Sequence, residues 1–170
     1  MRSAVFITPE SLFNRQRADN HGSADPKIPA FRIATQALRA LRRLKDAGYV
    51  IIGLAGEDSF RGFASPNSCR EFLAASALDD VIISPRAADA EDTSSALIQA
   101  AGKWLLDLDR SFIIGRTESI SNAGLTGCTP LRITNKTKRP VQHDLNAFNL
   151  VNAVDRILSF DVTAGKPSPA

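Results

Sequence analysis

The run Tyr49 to Ala55, with Val50, Ile51 and Ile52 in succession, most constrains what this chain can become. A strand apolar on both of its faces must be covered on both, and parallel sheets sandwiched between helices meet that need. The flanks agree. From Ile33 to Ala47, the residues Ala34, Ala37, Leu38, Leu41 and Leu44 recur at helical spacing, and Gly48 stands at the expected stop. Ala4 to Ile7 forms an earlier apolar run ended by Pro9, and Asn14 to Pro29 reads as a polar loop.

The alternation continues downstream. Ser68 to Ala75 reads as a helix, and Val81 to Ile83 as a third strand. Asp92 or Thr93 can cap a helix reaching about Trp104, and Ser111 to Gly115 is a fourth strand. A short helix over Ser119 to Ala123 is closed by Gly124, and Leu131 to Thr134 is a fifth strand. Asp144 can cap a last helix from Leu145 to Ser159, with Phe148, Val151, Val154, Ile157 and Leu158 on one face. Five strands separated by helices predict a three-layer, doubly wound parallel sheet. At 170 residues this is one domain, over 1–160, with a flexible Gly/Pro/Ser-rich tail over 161–170.

Charge and composition exclude several functions. The 21 Lys and Arg against 18 Asp and Glu leave a net charge of +3, too mild for a nucleic-acid-binding face. No stretch is apolar enough to span a membrane, and the amino terminus does not read as a signal peptide. Cys69 and Cys128 supply neither a disulfide framework nor a zinc cluster, so a cytoplasmic setting is expected.

In such folds ligands sit beyond the carboxyl ends of the strands, so the residues just after each strand are the informative ones. Here the chain resembles a known family. The segment ALRALRRLKDAGYVIIGLAG, Ser59-Phe60-Arg61-Gly62-Phe63, the stretch ALIQAAGKWLLDLDRSFIIG from Ala96 to Gly115, the segment Asn122 to Gly127 and the closing helix follow one another in the family's order. Together, from Ala4 to about Leu158, they resemble the histidinol-phosphate and heptose-bisphosphate phosphatase branch of the haloacid dehalogenase superfamily. The resemblance implies that superfamily's Rossmann-like core with minimal or no cap domain.

It also implies a catalytic site, and this chain departs from it at each corner. The family has Asp-x-Asp-Gly after strand one, the first Asp a nucleophile that forms an aspartyl-phosphate and the second a general acid and base. This chain has Thr8-Pro9-Glu10-Ser11, so Thr8 stands at the nucleophile position and Glu10 at the acid/base position. The phosphate-holding hydroxyl after strand two is replaced by Ala55, and the phosphate-neutralising Lys by Glu91. At the Mg²⁺-binding Gly-Asp-x-x-x-Asp, the chain reads Gly115-Arg116-Thr117-Glu118-Ser119-Ile120, with Arg116 in place of a metal ligand. The stretch Ser84 to Asp89 lacks the Cys and His of the family's zinc loop.

The expected function is therefore that of a catalytically inactive, phosphatase-like pseudoenzyme working through protein contacts, either with a partner or as a homo-oligomer. No cofactor is expected; Mg²⁺ would be the ion if the chain were active. A sensor of sugar phosphates or other anions is a second possibility, with Arg61 and Arg116 as the binding guanidinium groups. An altered phosphate monoester hydrolase is a third. Arg116 could instead pair with Glu10 or Glu91. His21 and His143 read as loop residues, Arg39, Arg42, Arg43 and Lys45 as a solvated helix face, and Lys136, Lys138 and Arg139 as a basic loop. Trp104 and Phe148 read as core or interface anchors, and both cysteines as unreactive.

Overall fold

The structure is a computed structural model, and it describes residues 1–15, 31–33, 35–56, 77–84, 90–115, 120, 122–134 and 145–163. The expected helix over Ser68 to Ala75 lies outside them, as do His21, His143, Cys69 and the basic stretch around Lys136.

Six strands form one parallel sheet: β1 (Ala4–Ile7), β4 (Val50–Gly56), β5 (Asp80–Ser84), β6 (Phe112–Gly115), β7 (Thr129–Ile133) and β8 (Leu145–Ala147). Their spatial order is β5-β4-β1-β6-β7-β8. The first strand of the chain therefore lies inside the sheet, with Val5 in register with Ile51 on one side and Phe112 on the other. A two-stranded antiparallel ribbon, β2 (Phe13–Arg15) and β3 (Phe31–Ile33), follows α1 (Pro9–Leu12). Among the described residues, that ribbon is the one addition to the three layers.

Alternation along each strand sorts the core into two halves. Val5, Ile7, Ile51, Phe112 and Ile114 face α2 (Thr35–Asp46) and α4 (Leu150–Thr163), where Ala37, Leu41, Leu44, Ala153, Val154 and Ile157 meet them. Ala4, Phe6, Val50, Ile52, Leu54 and Ile113 face the opposite way, onto Ala96, Leu97 and Ala100 of α3 (Ala90–Trp104). This is the three-layer, doubly wound architecture that the alternating pattern predicts. No helix among the described residues is long and apolar enough to cross a membrane.

Several local expectations need correction. The last helix does not begin at Leu145 under an Asp144 cap. Leu145–Ala147 pairs with Leu131–Ile133 as a sixth strand, and Asn149 caps the helix by accepting the Asn152 N–H at 2.8 Å. The helix then runs to Thr163, into the segment expected to be a tail, and 164–170 lie outside the described residues. Phe148 is no core anchor: it is 59% exposed, ahead of the helix. The helix α3 starts at Ala90, a turn before Asp92 or Thr93 could cap it, and Thr93 is buried within it. Of the short helix expected over Ser119 to Ala123, Ser119 and Ser121 lie outside the described residues; a 3₁₀ helix runs over Ala123–Thr126, with Gly124 inside it and left-handed Gly127 (φ 88°) closing it. Ile33 belongs to the ribbon, opposite Phe13, so α2 begins only at Thr35.

Two polar knots tie the amino-terminal edge of the sheet. The buried Ser111 hydroxyl accepts the Ala4 N–H at 3.0 Å and donates to the Asp107 carbonyl. At the start of β5, Asp80 accepts from Lys103 Nζ at 2.6 Å, Trp104 Nε1 at 2.8 Å and the Val81 N–H at 2.9 Å. Burial by itself would raise the Asp80 carboxyl, but these hydrogen bonds and the Lys103 charge outweigh it and hold the group below its ordinary value of 3.8. A carboxyl held low in the folded state stabilises above its unfolded value, and that stabilisation is lost as pH falls through the folded value. Asp80→Asn is therefore expected to flatten the acid limb of the stability profile, below about pH 4, in urea titrations at stepped pH.

Candidate functional site

From β1 the chain leaves toward β4 and β5, whereas from β6 it leaves toward β7 and β8. The crevice beyond the carboxyl ends of β1 and β6 is thus the topological switch point, the ligand position in open parallel sheets. Thr8 follows β1 there, and Gly115 ends β6.

Thr8 is held on three counts. Its N–H donates to the Ile114 carbonyl at 3.0 Å, which continues the β1–β6 ladder by one bond. Its carbonyl accepts the Ser11 N–H at 3.0 Å, opening α1. Its hydroxyl shares a hydrogen bond with the Ser11 hydroxyl at 3.2 Å, and the residue is only 4% exposed. Gly115 makes room for this side chain: a Cβ there would stand 2.9 Å from both Thr8 Oγ1 and Thr8 Cγ2, and 2.7 Å from Ile120 Cγ2. Ser11 and Gly115 were not among the residues singled out from the sequence. The signal for Ser11 was its place three residues after a Thr at a helix start.

Ala55, near the end of β4, is buried and offers a methyl where a hydroxyl would be needed to hold a phosphate. Glu10 lies in α1, and Glu91 in the first turn of α3; both helices begin at the carboxyl edge of the sheet. Arg61 and Arg116 lie outside the described residues. The structure thus places Thr8, Glu10, Ala55 and Glu91 on elements that end or begin at one edge.

What this arrangement can do follows from the donor chemistry. Mg²⁺ takes hard oxygen ligands in near-octahedral geometry, with carboxylates foremost. Of the described side chains at the switch point, Thr8 offers one neutral hydroxyl already bonded to Ser11, and Ala55 offers none. Among the described residues no group of three or more His, Cys, Asp or Glu could hold a metal. Elsewhere, Cys128 is 1% exposed, and burial pushes its thiol up to about 12, so it is no nucleophile. Arg39 and Arg42 are exposed on α2 as expected; Arg43 meets Asp155 at 2.7 Å and Lys45 meets Asp79 at 2.9 Å.

No protein-family model matches the chain, and no curated protein matches its sequence. Solved structures do match. The D,D-heptose 1,7-bisphosphate phosphatase from B. bronchiseptica, complexed with magnesium and phosphate, superposes with a TM-score of 0.67 at 14% identity, over 93% of this chain and 99% of that one. The D,D-heptose 1,7-bisphosphate phosphatase from Burkholderia thailandensis gives 0.65 at 13% identity, over 93% and 99%. A HAD-superfamily hydrolase from Ehrlichia chaffeensis gives 0.63 at 13%, over 93% and 97%. Strand order, switch point and these superpositions agree: the chain has the haloacid dehalogenase-like fold.

Proposed function

We propose that this chain is a catalytically inactive, phosphatase-like protein, a pseudoenzyme that acts through protein contacts as a structural or regulatory subunit. The observation that carries this is Thr8. The resemblance calls for a carboxylate nucleophile at that point, and the chain has a buried neutral hydroxyl whose partner is a second hydroxyl, Ser11. A threonine attacks phosphorus only when a base takes its proton, and a serine hydroxyl is no base. The Ala55 methyl and the sequence positions of Glu91 and Arg116 point the same way: they remove a phosphate donor, and they exchange the charges that would hold phosphate and metal. A cytoplasmic setting accords with the buried Cys128 thiol.

The competing reading is an Mg²⁺-dependent phosphoric monoester hydrolase, which the heptose bisphosphate phosphatases of like fold favour. One assay separates the two. Purified chain with Mg²⁺ is offered a panel of phosphate monoesters, D,D-heptose 1,7-bisphosphate included. The expected result is no phosphate release above the buffer blank. Release that disappears in Thr8→Ala would overturn the inactive reading.

A further inference from the structure

The crevice at the switch point has an occupant from the chain itself. Side chains alternate along a strand, so Thr8 faces the same way as Phe6, and Gly115 the same way as Ile113. That is the side of the sheet covered by α3. Ile120 enters this space from the segment after β6. It is fully buried and packs in one apolar cluster with Phe6, Leu97, Ile113 and Ala123. Its Cγ2 lies 2.7 Å from the point where a Gly115 Cβ would stand, and Thr8 Cγ2 and Oγ1 each lie 2.9 Å from that point. Ile120 and Thr8 therefore fill one hollow above the Gly115 backbone, which glycine leaves to them. The plug is also tied down. The Ile120 carbonyl accepts the Ala123 N–H at 3.2 Å, leading into the 3₁₀ helix. The Asn122 carbonyl accepts Ser94 Oγ of α3 at 3.3 Å, which holds that turn to the helix covering the sheet.

We infer that Ile120 is a built-in plug, an autoinhibitory contact that closes the ligand position at the switch point and bars access to residue 8. In an open parallel sheet a ligand comes to rest against the ends of the strands at that position. Here a branched hydrocarbon side chain of the same chain already rests there. Interiors are close-packed, so a phosphate or a metal ion could reach Thr8 from this side only by driving Ile120 out of its cluster. Such an ion would also trade water for methyl groups, a costly exchange for an unpaired charge. The plug works by position and not by chemistry: it would shield residue 8 whatever side chain stood there. The inference deepens the inactive reading above and rests on it for the choice of crevice, yet the two fail separately. Catalysis is scored by phosphate release, and closure by the reach of a reagent to residue 8.

The test is labelling of the full chain carrying Thr8→Cys with N-ethylmaleimide, each modified site being located by mass spectrometry. Cys128 serves as the internal standard: it is 1% exposed, so it reacts only when the molecule opens as a whole. With Ile120 in place, the thiol at position 8 is expected to react no faster than Cys128. Adding Ile120→Ala should raise the position 8 rate by roughly tenfold or more relative to Cys128. Adding Leu97→Ala instead removes a fully buried neighbour from the same cluster, and should speed both thiols together. Circular dichroism checks that each variant is folded, and Ile120→Val replaces Ile120→Ala if the latter is not, with a smaller rise in the same ratio. A position 8 thiol that outruns Cys128 by roughly tenfold while Ile120 is present would overturn the proposal. So would a ratio that truncating Ile120 leaves unchanged, or one that Leu97→Ala raises as much.

Discussion

Gly115→Ala is expected to lose about 1–3 kcal/mol of folding stability, although it adds a single methyl group. The methyl would arrive 2.7 Å from Ile120 Cγ2 and 2.9 Å from two atoms of Thr8. Neither neighbour can swing aside into water: Ile120 is fully buried, and Thr8 is 4% exposed and hydrogen-bonded. The strain must therefore pass into the backbone where β1 and β6 meet. Thr8→Ala removes two of the three close atoms, so the double variant should recover part of the loss. Urea unfolding of the four proteins forms a double-mutant cycle. Additive losses would show that the two residues do not share the space.

Leu97→Ala should lose more, about 2–5 kcal/mol, because a fully buried side chain leaves a cavity that its neighbours fill only in part. Its sequence neighbour supplies the control. Ile98 is 61% exposed on the same helix, and truncating it should move stability by no more than about 0.5 kcal/mol. Measured side by side by urea unfolding at low protein concentration, the pair separates the inward face of α3 from its outward face. Against a total stability of roughly 5–15 kcal/mol for a domain of this kind, the Leu97 loss is a large share.

The alternating pattern of the chain foretold the layers because burial on both faces leaves a plain mark: Val50, Ile51 and Ile52 in a row can only lie within a covered sheet. Three-residue strands leave no such mark. Phe13–Arg15, Phe31–Ile33 and Leu145–Ala147 are too short to show a two-residue period. Leu145 has the spacing of a helix because Phe148, Val151 and Val154 continue it, whereas the capping side chain that decides the start is Asn149. At the candidate site, the positions of Thr8 and Ala55 were legible since each is anchored by its strand. The fit between Gly115 and Thr8 is not, because it depends on two segments more than a hundred residues apart meeting at one edge, whereas the Ser11 hydroxyl leaves only the weak local mark of its spacing from Thr8.

That meeting bears on how the molecule comes to be folded. The strand β1 is made before the other described strands of its sheet yet lies inside it, and the Ala4 N–H waits for a hydroxyl 107 residues further on. Pairing between segments so distant closes large loops before any contact rewards them, which slows folding. As the chain is synthesised, Val5, Phe6 and Ile7 can join β4 early, but their other edge stays open until β6 exists. For that interval an unpaired, wholly apolar strand is exposed to other chains, so the most buried residues of the native state are the ones most at risk of aggregation before it forms.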